Sequence, residues 1–204
     1  MYQINKKQKI YLLFKRLFDI VFSLIAILVL SPIFIVIAIL VLIDTKGFPI
    51  FRQKRIGKNN KEFLILKFRS MNVNTPKDVP THLLENPDQY ISRFGRWIRK
   101  SSIDELPQLF NIFIGQMSFI GPRPALWNQT DLITGRTNNN VQLLRPGLSG
   151  LAQCYGRDDI SIDKKIELDT EYLHKFSLLL DIKLIFVSMK NALTGKDVIE
   201  GKQS

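Results

Sequence analysis

The sequence predicts an α+β fold that is mostly helical, with an apolar helix at the N-terminus and a compact polar domain behind it. Three observations lead to this prediction: residues 20–43 form an uncharged apolar run, two short strand-like segments follow it, and several later segments carry apolar residues at helical spacing. We therefore divide the 204 residues into a membrane-anchoring segment, 1–46, and a polar domain, 47–204, which is long enough to bury a core of its own.

The apolar run is long enough to cross a bilayer. Its 24 residues would form a helix of about 36 Å, against a hydrocarbon core of about 30 Å. Lysines and arginines flank the run on both sides, which is typical of two cytoplasmic ends. Ser31 and Pro32 lie at its middle, where proline removes a backbone hydrogen bond and predicts a kink. The pattern favours a re-entrant helix that enters and leaves through one leaflet, with an ordinary kinked span as the alternative.

The chain is strongly basic, with 29 Lys and Arg against 18 Asp and Glu and a net charge of +11. This charge predicts an anionic partner, and composition alone leaves nucleic acid, phosphate and lipid headgroups open. One acid, Asp19, lies near the start of the apolar run, where it is costly unless paired, and Arg16 one turn earlier is its predicted partner. The lone Cys154 forms no internal disulfide, and the histidines show no zinc spacing.

The polar domain begins with a predicted β-hairpin. Segments 49–56 and 62–68 are rich in Ile, Phe and Leu, and residues 57–60 supply the turn. Residues 71–87 carry three prolines without a regular period and are predicted as a loop. Residues 92–100 place aromatic residues at helical spacing among arginines, which is typical of an interfacial amphipathic helix. A solvated basic helix packed on the core by the same aromatics is the alternative.

Two more helices and one further apolar segment are predicted after residue 105. Residues 106–120 read as a mostly apolar helix with a proline at its start and Gly115 inside, and residues 166–175 read as a second helix. Residues 176–189 are apolar, but they are too few and too charged to span a bilayer. Two turn-dense stretches, 121–124 and 145–150, lie between these segments.

Two adjacent acids, Asp104 and Glu105, precede the predicted 106–120 helix. A helix N-terminus holds a carboxylate in its ionised form, with a low pKa, and offers positive potential to a phosphate and its metal ion. The pair is therefore a candidate catalytic site. Ser102 and Glu105 also match a capping box, which is a purely structural alternative.

Two basic residues are candidates for binding a phosphate near these acids. Arg123 lies between two prolines, which would hold a guanidinium in place while it makes two parallel bonds to phosphate. Lys67, at the end of the second predicted strand, could add positive charge. A position facing the membrane is the alternative for Lys67.

Four motifs give the sequence a specific resemblance to the bacterial sugar transferase family, the small monotopic phosphoglycosyl transferases. They occur in the family's order, together with the Ser31–Pro32 break and the pair of Asp169 and Tyr172. The resemblance runs from about Phe14 to the C-terminus and corresponds to the minimal form of the family. The motifs are KFRSM at 67–71, SIDELPQLFN at 102–111, MSFIGPRP at 117–124 and RPGLSG at 145–150.

The resemblance implies transfer of a phosphosugar from a UDP-sugar to polyprenol phosphate, with release of UMP, as the first step of a surface glycan. It implies a Mg²⁺ cofactor and a place at the cytoplasmic face of the bacterial inner membrane, among membrane lipids. Nucleic acid is not an expected partner. Family habit favours an N-acetylated sugar, and the oligomeric state, a homo-oligomer included, stays open.

Position by position, the resemblance makes Asp104 the nucleophile that attacks the β-phosphorus and a ligand of the metal ion. Glu105 is the neighbouring acid, which positions or deprotonates the incoming lipid phosphate. The substrate-binding positions that the resemblance implies are Lys67, Arg123, Arg145 and Asp169. Two alternatives stay open: direct attack by the lipid phosphate without a covalent intermediate, and a non-catalytic basic module that binds anionic lipid.

Overall fold

The computed structural model describes residues 4–75, 89–155 and 160–193 and confirms a mostly helical α+β fold with a long apolar N-terminal helix and small sheets. Most of the predicted loop at 71–87 lies outside these residues. The helices are α1 (Lys6–Thr45), α2 (Arg93–Lys100), α3 (Gln108–Phe113), α4 (Thr130–Asn138), α5 (Leu151–Tyr155), α6 (Ile162–Lys175) and α7 (Leu178–Leu193). The strands are β1 (Ile50–Ile56), β2 (Glu62–Phe68), β3 (Ser118–Ile120), β4 (Ala125–Leu126) and β5 (Gly147–Ser149).

Helix α1 is continuous over 40 residues. It begins after Asn5, whose side chain accepts a hydrogen bond from Gln8 N while Gln8 Oε1 accepts one from Asn5 N, a reciprocal capping box. It ends at Lys46 in the left-handed conformation. The helix runs through Pro32 without interruption, and the kink stays a prediction. By length and composition α1 can cross a membrane.

Helix α1 packs against the rest of the chain along most of its length. Tyr11 and Leu12 pack against the cluster around Leu173 and Leu184, which α6 and α7 supply. Further along, α1 side chains contact the core that β2 and α3 form, and the last contacts reach Ile37 and Val41. Other apolar side chains of α1 are exposed, including Phe14, Leu28, Val29 and Ile43.

A buried acid, Asp181 of α7, forms hydrogen bonds and an ion pair that connect the N-terminal part of α1 to α6 and α7. Tyr11 Oη donates to Asp181 Oδ2 at 2.7 Å, and Tyr172 Oη donates to Asp181 Oδ1 at 2.7 Å. Lys15 Nζ forms an ion pair with the same carboxylate. Because Asp181 is only 5% exposed, loss of either charge would leave the other buried and unpaired, which is strongly destabilising.

The predicted pair of Asp19 and Arg16 does not form. Asp19 Oδ1 accepts hydrogen bonds from Ser118 Oγ and Phe119 N, both at 3.1 Å. Arg16 Nη1 and Nη2 donate to the carbonyls of Ile112 and Phe113, both at 2.7 Å. The prediction was wrong because α1 packs against α3 and β3, whose backbone and side-chain groups supply the hydrogen-bond partners of both side chains.

The predicted β-hairpin is confirmed, with β1 and β2 antiparallel from the Ile50–Phe68 pair to the Ile56–Glu62 pair. Strand β4 adds to the free edge of β1, while β3 and β5 form a separate parallel pair. Buried Asn111 on α3 joins the helix to β2, because its Oδ1 accepts from Leu66 N at 2.9 Å and its Nδ2 donates to Leu64 O at 2.8 Å. The hairpin and α3 therefore form one rigid support.

The predicted helix at 106–120 is wrong in extent. A single 3₁₀ turn at Ile103–Glu105 precedes α3, and residues 118–120 form strand β3. Gly115 has φ of 90°, which ends helical geometry there. The carbonyls at the end of α3 are already bound by Arg16, so the helix has a cap that local sequence could not reveal.

Two other helices agree with the predictions. Helix α2 falls within the predicted 92–100 segment, with Ile98 fully buried and Trp97 53% exposed. Helix α6 covers the predicted 166–175 segment and begins earlier, after Ser161, which caps Lys164 N. The apolar 176–189 segment, for which no helix is predicted, forms helix α7 from residue 178 onward.

Candidate active site

Asp104 lies in the 3₁₀ turn between α2 and α3. Ser102 enters this turn in the left-handed conformation, with φ of 55°, and its side chain makes no capping hydrogen bond. The Glu105 side chain bonds to Lys67 instead of turning back to Ser102. The capping-box alternative is therefore wrong, and both acids are available for another purpose.

The Asp104 carboxylate is nearly buried and has no bonded partner in the part of the chain that the structure describes. Asp104 is 7% exposed, and no residue in the described ranges donates a hydrogen bond to its carboxylate or forms an ion pair with it. Burial raises the pKa of Asp104 to about 6, against the opposing effect of Lys67 and with a further increase from Glu105. The expectation of a low pKa was wrong, because burial outweighs the dipole of one short turn.

Glu105 has the opposite environment. Its Oε1 accepts a hydrogen bond from Lys67 Nζ at 2.7 Å, and Arg123 Nη2 lies 3.8 Å away. Burial alone would raise the pKa of Glu105, but Lys67 and then Arg123 lower it to about 2. A carboxylate held ionised in this way is a weak proton acceptor. Of the two tasks considered for Glu105, positioning fits this geometry better than deprotonation.

The loop 121–124, which carries Arg123, is held by a backbone hydrogen bond at each of its four residues. The bonds are Gly121 N to Ser149 O (2.8 Å), Gly147 N to Pro122 O (2.9 Å), Arg136 Nη1 to Arg123 O (2.8 Å) and Arg55 Nη1 to Pro124 O (2.9 Å). The Arg123 side chain is 43% exposed. A fixed backbone and an accessible guanidinium agree with the rigid phosphate-binding group that the two prolines predicted.

The glycines of the 145–150 motif allow β5 to approach this loop. A Cβ on Gly150 would lie 2.1 Å from Gly121 O, and a Cβ on Gly147 would lie 2.1 Å from Gly121 N. No side chain can be accommodated at these separations. The motif therefore supports the Arg123 loop through its backbone.

Asp169 lies behind the same loop. It is 1% exposed, and its Oδ2 accepts from Arg136 Nε at 2.9 Å and from Arg136 Nη2 at 2.5 Å. Arg136 in turn holds the carbonyl of Arg123. Burial raises the pKa of Asp169, and Arg136 opposes this. A direct contact of Asp169 with substrate does not fit this burial, so any effect on substrate would pass through Arg136.

Arg145 lies apart from the acids. Its Nε donates to Gly115 O at 3.0 Å, beyond the end of α3, whereas Asp104 lies before the start of α3. Within the described part of the chain, Arg145 has no hydrogen bond or ion pair to Asp104, Glu105 or Arg123. The structure thus brings Lys67 and Arg123 to the acids and leaves Arg145 elsewhere.

Two arginines near the acids were not predicted as site residues. Arg99, in the last turn of α2, lowers the pKa of Asp104, and Arg55 on β1 lowers that of Glu105. The basic pattern of α2 was interpreted as a membrane-facing feature. Arg99 lies only a few residues before Asp104 in the sequence, and this proximity was the signal that could have assigned it to the site.

The donor groups suit Mg²⁺ only together with a phosphate ligand. No cluster of three or more His, Cys, Asp or Glu side chains occurs among the residues with described positions. Asp104 offers carboxylate oxygens to which no described residue is bonded, next to the carboxylate of Glu105. Mg²⁺ in phosphate-transferring sites takes one or two carboxylates and completes its shell with phosphate oxygens and waters. The residues present fit that arrangement.

Comparison with known proteins supplies independent information. A family model described as bacterial sugar transferase matches residues 10–195. "Undecaprenyl-phosphate glucose phosphotransferase" of Komagataeibacter xylinus is 36% identical over 203 residues, with 90% of this chain and 36% of the relative covered.

Two further curated relatives agree. "UDP-N-acetylgalactosamine-undecaprenyl-phosphate N-acetylgalactosaminephosphotransferase" of Aeromonas hydrophila is 39% identical over 191 residues, with 91% of this chain and 45% of the relative covered. "Exopolysaccharide production protein ExoY" of Sinorhizobium fredii is 35% identical over 186 residues, with 84% of this chain and 82% of the relative covered. The chain therefore spans less than half of the two longer relatives and most of the shorter one.

Proposed function

The chain belongs to the bacterial sugar transferase family, and on this basis we propose that it transfers a phosphosugar from a UDP-sugar to polyprenol phosphate. The products are a polyprenyl-diphosphate sugar and UMP, and the polyprenol is undecaprenol. The name of the Aeromonas relative supports both substrates, the name of the Komagataeibacter relative supports undecaprenyl phosphate, and the name of ExoY supports a role in exopolysaccharide production.

One observation carries this proposal: among the described residues the nearly buried Asp104 carboxylate has no hydrogen-bond or ion-pair partner, and it lies among three cations. Lys67, Arg99 and Arg123 each lower its pKa against the effect of burial. A structural carboxylate at this depth would be hydrogen-bonded or paired. An unpartnered one beside phosphate-binding groups has the features of a nucleophile.

In the first step, an Asp104 oxygen attacks the β-phosphorus of the UDP-sugar. The bond from this phosphorus to the bridging oxygen breaks, and the bridging oxygen leaves with UMP. Arg123 and Lys67 offset the charge of the phosphates. In the second step, an oxygen of polyprenol phosphate attacks the same phosphorus, and the bond to Asp104 breaks, which restores the carboxylate.

Glu105 acts as a positioning group in this scheme. Its carboxylate holds Lys67 at 2.7 Å and attracts Arg123 at 3.8 Å, so the two cations stay aimed at the phosphates. Mg²⁺, which Asp104 would hold together with substrate phosphate oxygens, would supply further positive charge for the diphosphate.

The proposed function is tested by measuring UMP release from a panel of UDP-sugars, with undecaprenyl phosphate and the full chain in detergent. We expect UMP release from at least one UDP-sugar that requires undecaprenyl phosphate for turnover and stops when EDTA is added. A chain that binds anionic lipid but releases no UMP from any UDP-sugar would contradict the proposal and favour the non-catalytic basic module.

The hydrogen bonds that link Asp169 to Arg136, and Arg136 to the carbonyl of Arg123, predict an effect of Asp169 on both stability and activity. Asp169→Asn leaves the Arg136 charge buried without its counter-charge and loosens the Arg123 loop, so we expect a lower melting temperature and a fall in kcat/KM of roughly 10²-fold. Arg136→Lys keeps the charge but loses the paired geometry, and we expect it to raise KM for the UDP-sugar.

The matched control for this prediction is Glu167→Gln on the same helix. Glu167 pairs with Lys164 at the surface, with both side chains about half exposed or more, and its loss is expected to change neither quantity. A purely structural role would lower the melting temperature of Asp169→Asn while leaving kcat/KM per folded molecule, and KM in Arg136→Lys, at wild-type values.

The membrane arrangement we propose is an α1 helix embedded in one leaflet, with both ends at the cytoplasmic face of the inner membrane. Contacts with the domain extend from Tyr11 to Val41, which is about 45 Å of helix. A helix that crossed the bilayer would carry one end some 30 Å away from a domain on one side. The basic flanks and Pro32 support the same arrangement.

Cysteine labelling tests this arrangement in a Cys154→Ala background. We expect Gln3→Cys and Lys61→Cys to react with an impermeant maleimide only after the membrane is opened. Labelling of Gln3→Cys in intact spheroplasts, with Lys61→Cys still protected, would show a full span. Pro32→Leu restores a backbone donor at the middle of α1 and is expected to shift part of the population toward that span.

A further inference from the structure

A second group of cations lies away from Asp104, where the N-terminal half of α1 meets the domain. Arg16 of α1, Lys58 of the hairpin turn and Arg145 line one shallow cavity, together with Lys15, Asp19 and Tyr172. Three segments distant in sequence therefore bring positive charge to one place, where a bound anion would offset the repulsion between the cations.

The acids nearby do not neutralise these cations. Lys15 is paired with Asp181, and Asp19 is already bonded to Ser118 and Phe119. Within the described ranges, no carboxylate forms an ion pair with Arg16, Lys58 or Arg145. Burial and then the charge of Arg145 lower the pKa of Lys58, as expected for cations that repel one another.

The guanidiniums are held in place by the backbone. Arg16 donates to Ile112 O and Phe113 O, and Arg145 donates through Nε to Gly115 O. A Cβ on Gly115 would lie 3.0 Å from Arg16 Nη2, so the glycine lets the arginine approach. Backbone carbonyls fix the two arginines without neutralising their charge, whereas the Lys58 ammonium has no hydrogen bond or ion pair to any described residue.

This group is separate from the catalytic acids and lies beside an apolar surface. The helix α3, about 9 Å long, lies between the turn of Asp104 and Gly115. Ile114, next to Gly115, is 62% exposed, and Leu13 and Phe14 of α1 are 72% and 68% exposed. A polar cavity bordered by exposed apolar side chains is where the phosphate of a lipid would lie if its acyl chains covered those side chains.

We infer that Arg16, Lys58 and Arg145 form a second phosphate-binding site, which takes the headgroup phosphate of an anionic membrane phospholipid. The one carboxylate that lines the cavity with the three cations, Asp19, is already hydrogen-bonded to Ser118 and Phe119, so an anionic phospholipid fits the charge better than a zwitterionic one. The inference rests on the proposed membrane placement and is independent of the transfer reaction. Bound lipid would hold α1, the hairpin turn and the 145–150 segment together at the membrane surface.

Native mass spectrometry of the full chain, released from a nonionic detergent, tests the site with phosphatidylglycerol and phosphatidylcholine as probes. Lys58→Ala removes one charge-assisted contact and should weaken phosphatidylglycerol binding about tenfold, while Lys58→Arg should restore it. Lys61→Ala is the matched control, because Lys61 is exposed in the same turn, and it should bind like the wild type.

Four results would overturn the inference. Equal binding by the wild type and Lys58→Ala would show that Lys58 takes no part in a lipid site. Equal binding of the two phospholipids would exclude selection by charge. Displacement of the lipid by millimolar inorganic phosphate would make this a site for free phosphate. An effect of Lys58→Ala on undecaprenyl phosphate but not on phosphatidylglycerol would assign the site to the acceptor. UMP release, measured separately, reports on the proposed transfer reaction and not on this site.

Discussion

Asp104→Asn is expected to lower UMP release by about 10⁴-fold or more, while the protein still folds and enters the membrane. Asparagine has nearly the same size and lacks the anionic oxygen that attacks the β-phosphorus. Because no described residue donates a hydrogen bond to the Asp104 carboxylate, the substitution breaks no observed contact. Steady-state UMP release with undecaprenyl phosphate is the measurement.

The raised pKa of Asp104 predicts how the melting temperature of Asp104→Asn compares with that of the wild type, which controls for misfolding. Burial raises the pKa of Asp104 to about 6, so the folded state favours the protonated acid, and its stabilising effect is lost as pH rises through that value. At pH 7.5 with EDTA, Asp104→Asn should therefore melt at or above the wild-type temperature. Asp163→Asn, an exposed acid at the start of α6, should keep wild-type activity. Near wild-type turnover of Asp104→Asn would contradict the nucleophile assignment.

Arg123→Lys is expected to lower kcat/KM for the UDP-sugar by about 10²-fold although the charge is kept. An ammonium cannot make the two parallel bonds that a guanidinium makes to a phosphate. The loop should stay in place, because the bonds that hold it use backbone atoms of residues 121–124. The loss should therefore appear in kinetics without a change in melting temperature.

The matched control for Arg123→Lys is Arg52→Lys on the exposed side of β1, which should retain wild-type kinetics. Full activity of Arg123→Lys would show that the residue contributes only charge or packing. A fall in activity accompanied by an equal fall in the folded fraction would likewise remove the argument for a phosphate contact.

The sequence predicted those helices and strands that are determined by residues close together in the chain. The hairpin follows from two segments rich in Ile, Phe and Leu with turn residues between them, and α2 and α6 follow from helical patterns. The early end of α3 could not be predicted, because the group that binds Ile112 O is Arg16, 96 positions earlier in the chain. The missing Asp19–Arg16 pair has the same cause.

In the candidate site, too, the sequence predicted the residues but not the properties that depend on tertiary contacts. The motifs predicted Asp104, Glu105, Lys67 and Arg123, and the structure brings these four side chains together. The opposite pKa shifts of the two acids depend on burial and on which acid Lys67 contacts. The support of Arg123 by Arg136 depends on the packing of α4 against α6. Neither could be inferred from the spacing of residues in the chain.

The alternative of direct attack differs from the proposed route in its kinetics and its intermediate. In direct attack, undecaprenyl phosphate must be bound before UMP can leave, so both substrates appear together in the rate law. In the two-step route, UMP leaves first, which gives ping-pong kinetics. Glu105→Gln, which weakens the hold on Lys67, should slow the second step and make any intermediate easier to trap.

The most direct test is mass spectrometry of the wild-type chain mixed with Mg²⁺ and a UDP-sugar that it accepts as a substrate, without undecaprenyl phosphate. The two-step route predicts a mass increase of one phosphosugar on the peptide that contains Asp104, with release of one equivalent of UMP and loss of the label when undecaprenyl phosphate is added. An unmodified Asp104 peptide, in a preparation that turns over once the acceptor is supplied, would contradict the covalent mechanism.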